Sequence, residues 1–290
     1  MLKTLNQAIE NKQSLYPIRV YEQEDINIFF TLPLNVKKIG LCVSGGVDST
    51  IATYALFKYV TDFEIDVEFY PMVGNDKMRP YSTLITQKVI NWIIEKFPNI
   101  KVNPWETWDN TIQKRGDESR VTKQEYDHWN HCRLINKYNI DLLFFGTTAN
   151  PPYELVKTWN VGDRYPSHRQ KENVTYNDFI IRKINKKMPD YPFYKKLPDD
   201  PVYGTSLTKI DISVPHYNYV PFKRIDKRFS TGLWKHFNLF KEGYNNTFSC
   251  IGHYEQTKGF TELCNKCFWC KEREWGLENI KDKFTERTIL

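Results

Sequence analysis

From Val36 onward the chain alternates between two hydrophobic periods. Lys38–Val43 (KIGLCV) is a short, nearly continuous apolar run, the pattern of a strand buried on both faces. Asp48–Val60 places apolar residues at 51, 52, 55, 56, 59 and 60, a helical spacing. A second strand is predicted over Asp66–Val73, with Pro71 near its end, and a second helix over Thr83–Phe97, with Leu84, Ile85, Val89, Ile93 and Ile94 on or near one face. Ile100–Pro104 reads as a third strand, and Thr122–Tyr138 as a third helix capped by Thr122 with Glu125 three residues on. Asp141–Gly146 (DLLFFG) reads as a fourth strand. Such alternation predicts an α/β fold, a parallel Rossmann-like sheet with helices on both faces.

The flanks behave differently. Residues 1–35 form a lead-in, with a helix predicted at Leu2–Lys12 and extended pieces at Ile18–Tyr21 and Ile26–Leu32. The nucleotide-binding core is expected over 36–150. Residues 151–220 break the rhythm with Pro151, Pro152, Pro166, Pro189, Pro192, Pro198, Pro201 and Pro215, and read as an insertion or lid of short elements. A helical pattern resumes at Pro221–Leu239, and the remainder of 221–290 carries a cysteine cluster.

Composition narrows the class. With 290 residues, 40% apolar and 26% charged, the chain can bury a core, and wholesale disorder is excluded. No apolar run approaches the roughly 18–20 residues of a membrane helix. Met1–Tyr16 has no apolar signal core, so the expectation is a cytoplasmic protein without membrane contact. The net charge is +6, and residues 151–230, with 15 Lys/Arg against 9 Asp/Glu, hold the whole excess. Aromatics such as Tyr153, Trp159, Tyr165, Tyr191, Phe193, Tyr194 and Tyr203 are interleaved with those cations. That mixture suits nucleic-acid contacts through phosphates and stacking. It also suits a lid that packs rings over a reactive site and excludes water, which is the favoured reading.

Candidate chemistry concentrates at two places. Leu41-Cys42-Val43-Ser44-Gly45-Gly46-Val47-Asp48-Ser49-Thr50 lies between a predicted strand and a predicted helix. There a helix N-terminus presents free N–H groups and partial positive charge to an anion. Gly45 and Gly46 allow a sharp turn and close approach of phosphate. Val47 continues the backbone cradle, and Ser44, Ser49 and Thr50 add hydroxyls. Asp48 suits a Mg²⁺ ion held against the phosphates. The Walker pattern is absent. Gly146-Thr147-Thr148-Ala149-Asn150 follows the fourth strand, where open α/β sheets bind ligands, with Gly146 and Thr147 as the candidate nucleotide contacts.

The second place is Cys264-Asn265-Lys266-Cys267-Phe268-Trp269-Cys270, preceded by Cys250. Four thiolates suffice for a closed tetrahedral Zn²⁺ site of structural role, with Lys266 and Lys271 offsetting charge; a [4Fe–4S] cluster is the alternative. Cys42 lies in a strand and reads as packing. His128, His131 and Cys132 share a helix face and read as packed or solvent-facing in preference to metal-binding.

The loop resembles the SGGxDS signature of the PP-loop ATP pyrophosphatase superfamily. Together with Pro221-Phe222, Asp226-Lys227, Thr247-Phe248-Ser249-Cys250 and Cys264–Arg273, it resembles the 7-cyano-7-deazaguanine synthase family, whose product is a queuosine precursor. The resemblance covers about Val36–Gly146 and Pro221–Gly276. It implies an adenine nucleotide alpha hydrolase-like sheet, ATP and Mg²⁺ as cofactors, zinc on the four cysteines, and Lys227 near the nucleotide phosphates with Asp48 and Ser49 as catalytic residues. The sequence differs from the family at Leu263, where a glycine is usual, and at Val73–Arg79, where the family has a Tyr-Gly-Gln stretch. Thirteen residues separate Cys250 from Cys264, and 151–220 is an addition.

The resemblance implies an ATP-dependent C–N ligase. It would adenylate a deazapurine-like carboxylate such as 7-carboxy-7-deazaguanine, release pyrophosphate and transfer ammonia. A sulfur-transfer or nucleic-acid-modifying enzyme sharing the loop is one alternative. A non-catalytic nucleotide-binding module is another. An oligomer is expected.

Overall fold

The computed structural model describes residues 19–23, 26–30, 32, 36–75, 81–109, 123–161, 193–196, 217–219, 221–222 and 226–281. The helix expected at Leu2–Lys12, the Thr122 cap, the side chains of His128 and Cys132, and most of 151–220 lie outside those residues.

Two short strands, β1 (Arg19–Gln23) and β2 (Ile26–Phe30), pair antiparallel in a ribbon of their own. The main sheet begins with β3 (Lys38–Cys42), followed by α1 (Val47–Asp62), β4 (Glu68–Asn75) and α2 (Ser82–Lys96). Next come β5 (Lys101–Val102), β6 (Glu106–Asp109), α3 (Lys123–Tyr138), β7 (Leu142–Phe145) and α4 (Tyr153–Thr158). Then follow β8 (Phe193–Lys196), β9 (Tyr217–Tyr219), α5 (Lys227–His236) and α6 (Phe268–Lys281).

The strands run in the order β5-β4-β3-β7-β9-β8, with β6 also on β4. Every pairing is parallel except β8 on β9. β6 was not legible in the sequence pattern: at four residues its apolar content is one tryptophan. β9 lies in the Pro-rich stretch read as an insertion, yet it extends the core sheet by pairing with β7.

Period-two alternation sorts the core into two layers. Ile39, Leu41 and Val43 of the β3 segment, with Leu142 and Phe144 of β7, face α1, α2 and α5 in the larger cluster. Leu143 and Met72 face the other side, where Leu134 and Ile135 of α3 cover them, with Cys42 and Phe145 at the margin. Helices therefore cover both faces, as expected of a parallel sheet. Each fully buried Leu, Ile or Phe contributes roughly 1.5–3 kcal/mol. α1 is buried nearly all round, because α5 closes its outer side and Trp234 Nε1 donates to Val47 O at 3.2 Å. Among the described residues, no helix is long and apolar enough to cross a membrane.

The chain leaves β3 outward to β4, then returns to β3's other side as β7. Such a reversal is a topological switch point, where the loops at the strands' carboxyl ends part and leave a crevice. The loop at 43–50 and the segment 146–150 meet there. Gly146 makes their contact possible: a Cβ on it would stand 2.7 Å from Asp48 O and Ser49 N, and nearer still to Ser49 Cα. Both sides of that contact are backbone and cannot give way. Gly146→Ala is accordingly expected to lower unfolding free energy by about 3 kcal/mol in a urea titration. A change under about 0.5 kcal/mol would show that the two segments separate readily.

Candidate functional site

The loop between β3 and α1 turns at Gly45, whose φ of +71° is left-handed. The N-cap of α1 is Gly46, which offers no side-chain acceptor. First-turn N–H groups of a helix have no intrahelical partner. That of Val47 donates to Ser249 Oγ at 3.3 Å. The hydroxyls of the loop largely hold the loop itself. Ser49 Oγ accepts from Ser44 N at 3.2 Å and lies 3.1 Å from Ser44 Oγ. Thr50, fully buried, donates to Gly46 O at 2.8 Å, so its hydroxyl faces the loop backbone and not a ligand. Ser44 is exposed at the loop surface, as is Thr147 after β7.

Asp48 turns away from the helix axis into a polar cluster. Its carboxylate accepts from Thr148 Oγ1 at 3.1 Å, from Ser230 Oγ at 2.5 Å and from the ammonium of Lys227. Lys227 is the first residue of α5, whose N-cap Asp226 accepts from Arg228 N at 3.0 Å. Burial pushes the Asp226 carboxyl above its ordinary range, and the Arg228 guanidinium draws it back. The Lys227 ammonium also lies 3.3 Å from Glu272 Oε2, a fully buried carboxylate on α6. The structure thus brings Asp48, Ser49 and Lys227 together at the switch point. It adds Ser230, Ser249 and Glu272, and it puts Thr148 of the segment after β7 on Asp48. Ser230 sits one helical turn from Lys227, and Glu272 lies two residues beyond Cys270; neither spacing announces a partner in a distant loop.

The cysteine segment is joined to this loop directly. Phe248 N donates to Gly45 O at 2.9 Å, while Ser249 takes the Val47 N–H. Tyr81 Oη donates to Cys250 O. Arg273 donates to Thr247 O and Thr247 Oγ1, both at 2.9 Å, and stacks on the ring of Tyr244. Tyr244 is buried, which pushes its hydroxyl up to about 12.

The four sulfurs of Cys250, Cys264, Cys267 and Cys270 all lie within 4.8 Å of one another. Three of the separations are 3.5, 3.9 and 3.9 Å. A tetrahedron of metal–sulfur bonds near 2.3 Å asks for about 3.8 Å between sulfurs. Backbone N–H groups point at sulfur, from Gly252 and Cys264 to Cys250 and from Cys267 to Cys264, at 3.2, 3.3 and 3.4 Å. Hydrogen bonding with Cys250 and Cys270 holds the Cys267 thiol far below its ordinary range, while Cys250 is pushed up in return. Thiols this close resist full ionisation by like-charge repulsion, which a divalent ion would remove. The donor set fits one tetrahedral ion. Of the two lysines expected to offset its charge, Lys271 pairs with Glu274.

Of His128, His131 and Cys132, the face read as packed or solvent-facing, His131 is the one whose side chain is among the described residues. His131 packs on Trp108 and Phe145 and lies 3.5 Å from Cys42.

No known protein family and no curated protein matches the sequence. Among solved structures, the U34-tRNA thiolase NcsA from Methanococcus maripaludis, with its [4Fe–4S] cluster, is similar with a TM-score of 0.39 and 12% identity. That likeness covers 99% of this chain and 83% of that one.

Removing one member of a buried ion cluster leaves the others uncompensated. Lys227→Met should cost about 3–5 kcal/mol in urea unfolding. Lys227→Met with Glu272→Gln should recover part of that loss, because one stranded charge is gone. Additive losses in the double variant would show that the two groups do not interact.

Proposed function

We propose that the chain is an ATP-dependent C–N ligase of the PP-loop type. It adenylates a deazapurine-like carboxylate, with 7-carboxy-7-deazaguanine as the leading candidate, and transfers ammonia to it. One observation carries the reading: an SGGVDS loop at the sheet's switch point is fastened, through Lys227 and the Thr247–Cys250 segment, to a four-cysteine knot.

The loop N–H groups and the α1 N-terminus favour the pyrophosphate of ATP. Lys227 lies where its charge would stabilise that group as it leaves. Mg²⁺, when bound, neutralises phosphate charge. Two carboxylate oxygens offer about four lone-pair sites. Thr148, Ser230 and Lys227 take three of Asp48's, so one remains for such an ion. A Mg²⁺ site built from one or two carboxylates plus substrate phosphates needs no more. The acceptor carboxylate attacks the α-phosphorus; an acyl adenylate forms and pyrophosphate departs. The chain's part is positioning and charge stabilisation. In the net reaction ammonia takes the place of AMP on the acyl carbon.

The sulfur separations support zinc on the four cysteines. A cubane places each thiolate on a separate iron and spreads the sulfurs further apart. The knot's role is to hold the Thr247–Cys250 segment against the loop.

Pyrophosphate release should require ATP, Mg²⁺ and an acid from a panel of deazapurine carboxylates, with an amide formed when ammonia is present. Asp48→Asn should lower that release by about 100-fold or more. A sulfur-bearing product on tRNA, or no release with any acid, would overturn the ligase reading.

Elemental analysis should find about one zinc per chain and no stoichiometric iron. Brown colour with iron–sulfur absorbance in an anaerobic preparation would replace zinc by a cluster.

A further inference from the structure

A thiol and an imidazole meet at the nucleotide end of the sheet. Cys42 is the last residue of β3, two positions before Ser44 of the loop. Its Sγ lies 3.5 Å from Nε2 of His131 on α3. Strand alternation puts Cys42 on the α3 side, opposite the layer that holds Leu41 and Val43. The imidazole is set edge-to-face against two rings, Trp108 at 5.2 Å and 87° and Phe145 at 5.6 Å and 80°. These contacts orient Nε2 toward sulfur. Both Cys42 and His131 are half-buried, so neither is sealed inside the core. A reactive cysteine needs that combination of partial exposure and a neighbouring base; a cysteine that only fills a core needs neither.

We propose that Cys42 and His131 form a nucleophilic thiol–imidazole pair that captures the activated acceptor covalently, an inference that rests on the adenylation reading above. His131 Nε2 takes the Sγ–H proton. The thiolate attacks the carbonyl carbon of the acyl adenylate, a C–S bond forms, the C–O bond to phosphate breaks, and AMP leaves with the electron pair. Ammonia attacks the thioester carbon and the C–S bond breaks. The imidazolium returns its proton to the departing thiolate, and one ammonia proton goes to solvent. The products are the amide and AMP, with the pair regenerated.

The test uses the full, metal-loaded chain and has two arms. Iodoacetamide labelling at pH 7, read by mass spectrometry at the Cys42 peptide, reports the thiolate. An ordinary thiol is only a few per cent thiolate at that pH. Cys42 should therefore react about tenfold faster than in His131→Gln, and about tenfold faster than in an unstructured peptide of residues 38–46. The peptide comparison stands even if the variant misfolds. Rates equal to or below the peptide's would overturn the pair. In the second arm the chain is given ATP, Mg²⁺ and each acid of the panel without ammonia. A mass increase equal to the acyl group on the Cys42 peptide, absent in Cys42→Ser and released by added ammonia, is expected. Pyrophosphate release without that adduct would overturn covalent capture. No release with any acid counts against adenylation alone, and the labelling arm still decides the pair.

Discussion

An ammonium buried between two carboxylates must be matched by all of its partners at once, and Lys227 imposes that demand on three separate segments. Asp48 comes from the loop after β3, Lys227 from the start of α5, and Glu272 from α6 beyond the cysteines. Desolvating these groups costs several kcal/mol each, and their mutual attraction repays it only if the geometry is held. Such a cluster adds little net stability over an apolar packing. What it does is specify: the loop after β3, α5 and α6 fit together in one arrangement, with a positive charge fixed beside the loop.

Backbone contacts make the same connection independently. The Phe248 N–H binds Gly45 O, and Ser249 Oγ takes the Val47 N–H. The knot begins one residue later, at Cys250, whose carbonyl is held by Tyr81. Four thiols drawn together around one ion would fix the loop's far wall, much as Gly146 fixes its near wall by letting β7 press against α1. The four cysteines are therefore a few residues from the groups that shape the loop after β3.

This arrangement suits a reaction whose barrier is lowered by position and charge. The loop follows the carboxyl end of β3, where Cys42 is the last strand residue, and Lys227 and His131 reach that end from α5 and α3 on opposite faces of the sheet.

Much of this was legible along the chain. The β3–loop–α1 unit is local, so hydrophobic period and glycine placement fixed it, and the CxxCxxC spacing likewise pointed to a gathering of thiols without a fold. Lys227 was reached only through the resemblance, since one lysine in a basic helix start has no local signature. β6 and β9 escaped because short edge-ward strands draw their stability from the neighbour they pair with. Ser230 and Glu272 escaped because a polar residue looks the same in sequence whether it faces water or a buried ammonium. Cys42 read as packing, since strand alternation says which side a residue faces and not what waits there. Sequence by itself determined the elements and the two motifs, whose physics is contained within a few residues. Tertiary structure alone decided which distant polar groups meet, because the energy of a buried charge or a thiol–imidazole contact belongs to the pair and is written in neither partner.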